Sequence, residues 1–246
     1  MSSPQFTPAE APSPSNAENA RYILRCARKG ALGTIDQGSG HPYASLVATA
    51  TEADGSPVLL LSRLAIHTRN LEADCRASLL IDASDSVGNP LTGARVTLIG
   101  KVEPASSPTT ARRYLARHPT AAGYSGFADF SFFVLRVERA HFIGGFGRIA
   151  PLDACDVLID SAGCAWLADA EPSVLATLNA DAASDLARLG ARLSGGQAGA
   201  WQAVGLDADG LDLVMGEHAC RFVLPAPPLT PESVRAAVTE AAGRGG

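Results

Sequence analysis

Arg63, His67, Thr68, Arg69 and Asn70 fall within eight residues of one another, directly after a continuously apolar run, Val58-Leu59-Leu60-Leu61, that ends in Ser62. Such a run reads as a strand buried on both faces, and the polar groups arriving together at its end read as a binding site. Thr68 stands where a helix N-cap would leave backbone N–H groups pointing outward. Arginine forks beside a helix N-terminus suit an anion, above all a phosphate. The plainer alternative is a capped helix with solvated arginines; the clustering favours the anion site.

Two further strands carry polar residues on an alternating pattern. In Pro42-Tyr43-Ala44-Ser45-Leu46-Val47, Tyr43 and Ser45 share a face that either lines a pocket or meets solvent, and Arg95 and Thr97 pose the same choice in the run 95–100. Gly144-Gly145-Phe146-Gly147-Arg148 is either a connector or a close backbone approach to a flat ligand, with Arg148 free to meet a carboxylate. The histidines, His41, His67, His118, His141 and His218, lack metal-ligand spacing, so no protein-ligated metal is expected. P-loop, Rossmann and G-x-S-x-G patterns are absent, and no residue stands out as a catalytic acid, base or nucleophile. His118 and Asp181 read as solvated helix residues.

Composition bounds these readings. The chain has 246 residues, 46% of them hydrophobic, with no run long enough to span a membrane. The Pro- and Ser-rich start, 1–15, lacks a secretory pattern and is expected to be a disordered tail on a soluble, cytoplasmic protein. Five scattered cysteines without CxxC spacing read as reduced, mostly buried thiols. A net charge of -5 argues against nucleic acid and acidic membranes as partners. The charge is uneven: residues 16–150 hold 15 Lys and Arg against 11 Asp and Glu, and residues 151–246 hold 5 against 13. Anionic ligands should therefore prefer the first part. Lys29 and Lys101 are the only lysines among the 20 basic residues, so an arginine at any one position is weak evidence.

The elements that must position these residues follow from pattern and punctuation. A helix is expected over Asn16 to Lys29, with Asn16 as N-cap and Gly30 as its end. Strands are expected over Ala31–Asp36, Pro42–Thr51, Pro57–Ser62, Arg76–Ala83, Ala94–Glu103, Phe130–Glu138 and Ala140–Ile143, with short helices from His67 and Ser107. About seven strands of this kind suggest a closed, mostly antiparallel barrel over 16–150. From 151 to 246 the chain turns acidic and alanine-rich and reads as a small α+β domain: a helical region Pro172–Leu193, strands around Asp207-Ala208-Asp209-Gly210, and a last helix from Pro231.

Taken in order, Gly30-Ala31-Leu32-Gly33-Thr34, His41-Pro42-Tyr43-Ala44-Ser45-Leu46-Val47, Leu61-Ser62-Arg63-Leu64-Ala65-x-His67-Thr68-x-Asn70, Arg76-Ala77-Ser78-Leu79, Pro90-Leu91-Thr92-Gly93 and Gly144-Gly145-Phe146-Gly147 resemble a known family. It is the haem-iron-utilisation branch of the pyridoxamine-phosphate-oxidase-like, FMN-binding split barrels. The likeness extends through Leu178-Asn179-x-Asp181 and Gly205-Leu206-Asp207-x-Asp209-Gly210. It implies an α+β fold with a six-stranded split barrel, a homodimer, and FMN, or alternatively haem, at the subunit interface. It places Ser62, Arg63, His67, Thr68, Arg69 and Asn70 at the flavin phosphate, with Tyr43, Ser45, Arg95 and Thr97 from neighbouring strands and Arg148 near the ligand.

Two positions depart from the family. Ala182 follows Asn179-x-Asp181 where relatives carry His, and the tail 240–246 has no His to ligate iron. The functions expected are an FMN-dependent redox role, haem binding or breakdown with His141 or His218 as the candidate axial ligands, or a non-catalytic binding module.

Overall fold

The structure, a computed structural model, describes residues 14–84, 88–145, 147–160 and 162–244. Most of the expected tail, together with Phe146, lies outside the described residues. Helix α1 (Asn16–Cys26) is followed by strands β1 (Lys29–Ile35), β2 (Pro42–Thr51) and β3 (Pro57–Ser62), helix α2 (Ile66–Ala73), and strands β4 (Arg76–Asp82) and β5 (Arg95–Pro104). Helix α3 (Pro108–Arg117) leads to the long strand β6 (Phe130–Ile143) and then to β7 (Ile149–Asp153). A short α4 (Ala154–Val157) precedes α5 (Leu167–Asp181), α6 (Ala183–Leu193), strands β8 (Gln202–Leu206), β9 (Gly210–Met215) and β10 (His218–Val223), and α7 (Pro231–Gly243). No helix among the described residues is long and apolar enough to cross a membrane.

Strand order β3-β2-β1-β4-β5-β6-β7, together with a β3–β6 pairing, closes six antiparallel strands into a barrel and leaves β7 as an extra strand on β6. Closure removes the free edges of the barrel sheet. Its interior is filled by Leu32, Leu59, Leu61, Leu79, Val96, Leu98 and Leu135, and α1 adds Ala20, Ile23 and Leu24 to the same core. The apolar run of β3 is explained by burial on both sides. Leu59 and Leu61 point into the barrel, while Val58 and Leu60 join a second cluster with Tyr114 of α3.

Several boundaries differ from expectation, each for a local reason. Ser15, not Asn16, caps α1: its hydroxyl accepts from Glu18 N at 3.2 Å and its own N–H donates to Glu18 at 2.7 Å. Helix α1 ends early because the chain must turn into β1, so Gly30 sits in a strand, where a Cβ would lie 2.8 Å from Leu79 and Ile81 side-chain atoms. The two runs around Arg139 are one strand, because a bulge at Ile99/Gly100 absorbs the irregularity against β5. Gly144, Gly145 and Gly147 lie between β6 and β7 of one sheet rather than in a linker between domains, with Gly144 N donating to Arg148 O at 2.8 Å. Cys164 and Cys220 are buried, whereas Cys26 and Cys75 are partly exposed and Cys155 is exposed, so fewer thiols are interior than expected.

The second half forms a three-stranded antiparallel sheet, β10-β9-β8, with a core of Leu178, Leu186, Leu189, Trp201, Leu211, Val234 and Val238. Asn179 ties α5 to β8, donating to Ala203 O at 2.9 Å and accepting from Ala203 N at 2.8 Å.

A buried ionic network joins the two halves. Arg25 of α1 lies 3.2 Å from Asp207, and Arg221 of β10 donates to Asp207 at 2.5 Å and to Asp212 at 2.8 Å. From α3, Arg113 bonds to Glu171 of α5 and donates to Leu206 O at 3.2 Å, and Arg117 lies 3.9 Å from Asp212. The side chains of Arg25, Arg221 and Asp207 are no more than 1% exposed. Much of the cationic excess of the first half is therefore spent on the acidic second half and is not available to a ligand.

Candidate functional site

The end of β3 is held against the start of β6, with Ser62 paired to Phe130. Ser62 Oγ donates to Asp129 at 2.6 Å and accepts from Leu64 N at 3.1 Å. Arg63 N donates to Asp129 O at 2.7 Å, and its guanidinium donates to Ala128 O at 2.6 Å while remaining exposed. These bonds fix the corner from which α2 departs.

Helix α2 starts one residue earlier than the sequence implies, and this changes what Thr68 does. Ala65 occupies the N-cap and provides no side-chain cap. Thr68 is the third helical residue, fully buried, and its hydroxyl has no hydrogen-bond partner. The first-turn N–H groups of α2 thus lack a side-chain acceptor, with Arg63 before them and exposed Arg69 after them. Unsatisfied N–H groups, the positive end of a helix dipole and two guanidinium groups together favour an anionic oxygen cluster.

Asn70 holds the corner together. It is 1% exposed, donates to Thr34 Oγ1 at 3.1 Å and accepts from Gln37 N at 3.1 Å, pinning α2 onto the end of β1. Asn70→Ala is expected to lower unfolding stability by about 1–3 kcal/mol, because it strands a buried hydroxyl and an N–H group. A urea melt unchanged within 0.5 kcal/mol, roughly the size of ordinary surface substitutions, would refute this.

Beside the corner, on the outer side of β2 and β3, lies a groove of about 340 Å³ lined by Leu46, Leu60, His67, Tyr114, Tyr124 and Phe130. Two ring pairs stand at this groove: Tyr124 and Phe130 are 5.0 Å apart, and behind them Tyr114 meets Phe132 edge-on at 5.6 Å. Burial lowers the pKa of the half-buried His67 imidazole, which favours the neutral ring. Tyr114 is 1% exposed, and burial raises its phenol pKa. The sequence reading missed this wall, although its signal was present: Tyr114, Tyr124, Phe127, Phe130, Phe132 and Phe133 crowd into 114–133 of a chain that is 6% aromatic.

Within one chain, Ser62, Arg63, His67, Thr68, Arg69 and Asn70 meet at this corner. Tyr43 and Ser45 lie on the adjoining β2 but face inward, paired with buried Thr34 and Leu32, and the buried Ser45 hydroxyl also lacks a partner. Arg95 and Thr97 stand on β5, separated from β2 by β1 and β4. Arg95 donates to Leu91 O at 3.3 Å and Gly93 O at 3.2 Å. Arg148 is at the far end of β6 from Phe130, donating to Asn16 at 3.2 Å. His118 is buried rather than solvated, with Nε2 2.8 Å from Thr49 O. Among the described residues, no group of three or more His, Cys, Asp or Glu side chains could hold a metal ion.

The chain matches the family described as CREG, β-barrel, over residues 12–156. It belongs to the CREG β-barrel family. The matched residues contain all seven strands of this chain's barrel sheet, with the β3–α2 corner and the aromatic wall. Beyond the barrel, a solved structure of unknown function from Agrobacterium tumefaciens is 30% identical, with a TM-score of 0.82, covering 97% of this chain and 100% of that one. A haem binding protein from Mycobacterium smegmatis is 34% identical, with a TM-score of 0.56, over 95% of this chain and 98% of that one. A non-canonical haem oxygenase, HOZ, of the Arabidopsis thaliana chloroplast is 38% identical over 137 residues, which is 53% of this chain and 41% of that protein.

Proposed function

We propose that this protein binds haem at the β3–α2 corner, in a role in haem utilisation. The observation that carries the reading is an aromatic groove opening beside an uncapped helix N-terminus flanked by Arg63 and Arg69. Haem needs a flat apolar slot and cations for two carboxylates, and both are present together. Likeness to the mycobacterial haem binding protein over nearly the full chain supports it. Arg63, Arg69 and the first-turn N–H groups would take the carboxylates; Leu46, Leu60, Tyr114, Tyr124 and Phe130 would cover the macrocycle and keep water from it. When bound, haem would supply an iron centre able to take small ligands and exchange electrons.

FMN is the second reading, because the same uncapped helix and arginines suit a phosphate. In either case we propose a homodimer in which the open sheet face of one copy, carrying Arg95 and Thr97, meets the corner of the other. The separation of those residues within a single chain supports this arrangement.

Titration of the purified protein with haemin is expected to give a saturable Soret shift. Arg63→Ala with Arg69→Ala should weaken it by about tenfold, in line with the loss of a charge-assisted contact. Saturable FMN binding without a haemin response would move the assignment to the flavin reading; neither response would end both.

A further inference from the structure

We infer that His67 is the axial ligand to haem iron at the β3–α2 corner, an assignment that rests on the haem reading above. The other four histidines are placed elsewhere or committed. His41 is exposed before β2, and His118 is occupied with Thr49 O at 2.8 Å. His141 stands on the open sheet face between Thr97 and Pro151, and His218 lines a different cavity with Cys26 and Glu217. Within one chain, neither of the two histidines favoured by sequence shares a cavity with the aromatic wall; across the proposed dimer His141 would approach the corner from the other copy, and the His141→Ala variant below separates the two.

His67 does share it. It lines the groove with Leu60, Tyr114, Tyr124 and Phe130, and its side chain makes no hydrogen bond or ion pair with any described residue. Its position is set by α2, which Asn70 pins to β1 through Thr34 and Gln37. A neutral imidazole offers one ring nitrogen lone pair for a dative bond to iron and keeps the other N–H as a donor, so the bond forms without electron transfer or loss of a proton. The first turns of α2 carry the free N–H groups and Arg69, and Arg63 stands just before them, so iron and carboxylates would be held from one corner.

The test uses the full chain reconstituted with haemin and reads resonance Raman of the reduced form. Wild type is expected to show the iron–histidine stretch, His67→Ala to lose it, and added free imidazole to restore it. His67→Gln provides a second variant should the alanine protein fail to fold, and far-UV circular dichroism checks both. Haemin binding by wild type without an iron–histidine band, or a band that persists in the His67 variants, overturns the inference and leaves the haem reading standing. Loss of the band in His141→Ala or His218→Ala while His67→Ala keeps it overturns it as well. Absence of any haemin binding by wild type ends the haem reading and this assignment with it.

Discussion

Asp207→Ala is expected to lower unfolding stability by about 3–5 kcal/mol, the cost typical of removing one partner from a buried ion pair. Asp207 receives Arg221 at 2.5 Å and lies 3.2 Å from Arg25, with Arg113 at 4.0 Å. Truncation would leave these guanidinium groups buried without their shared counter-charge, where the barrel meets the second half of the chain. The expected readout is a thermal midpoint lowered by roughly 10 °C, with circular dichroism and tryptophan fluorescence no longer superimposing if the second half loosens first. A change below 1 kcal/mol, about the mean effect of any point substitution, would show that the network contributes little.

The same carboxylate sets an acid limit. Burial works to raise the Asp207 pKa, but Arg25 and Arg221 outweigh it and hold the group below the ordinary carboxylate range. A depressed native pKa means that the unfolded chain takes up the proton first. The stabilisation is therefore complete at neutral pH and is lost as pH falls below about 4, the unfolded value for Asp. Acid titration of wild type should show this loss, and a variant lacking Asp207 should show less of it.

Gly100→Ala is the second large effect, and it acts on backbone rather than charge. At the β5–β6 bulge an added Cβ would lie 1.9 Å from Arg136 O and 2.9 Å from the same carbonyl carbon. No rotamer change relieves a clash with main chain, so β5 and β6 must separate where they form the longest pairing of the barrel. Destabilisation of more than about 3 kcal/mol, or failure to fold, is expected. A soluble variant with a near-native urea midpoint would mean that the bulge can move by more than an ångström at little cost.

What the sequence revealed depended on whether neighbours along the chain settled the matter. Strands Pro42–Thr51 and Pro57–Ser62 were legible to the residue, because alternation and turn residues are local signals. The start of α2 was misread by one residue and its N-cap by three. Thr68 has the chemistry of a cap, yet tertiary packing buries it in the first turn and leaves Ala65 as cap. The network around Asp207 was illegible, since Arg25, Arg113 and Arg117 look like any of the many arginines of this chain until α1 and α3 are placed against β8 to β10. The uneven charge of the two halves was its trace, and it was read as ligand preference. The aromatic wall was overlooked because Tyr114 reaches Phe132, and joins Tyr124 and Phe130 at one groove, only once α3 lies over β3.

One detail of the extra strand bears on behaviour at high concentration. Strand β7 is the exposed flank of an otherwise closed barrel, and its middle residue is Pro151. A proline there presents no amide hydrogen, so a strand from another molecule finds a five-residue template interrupted at its centre. Intermolecular sheet growth, the route by which open β-edges seed fibrils, is thereby hindered at the edge the barrel sheet retains.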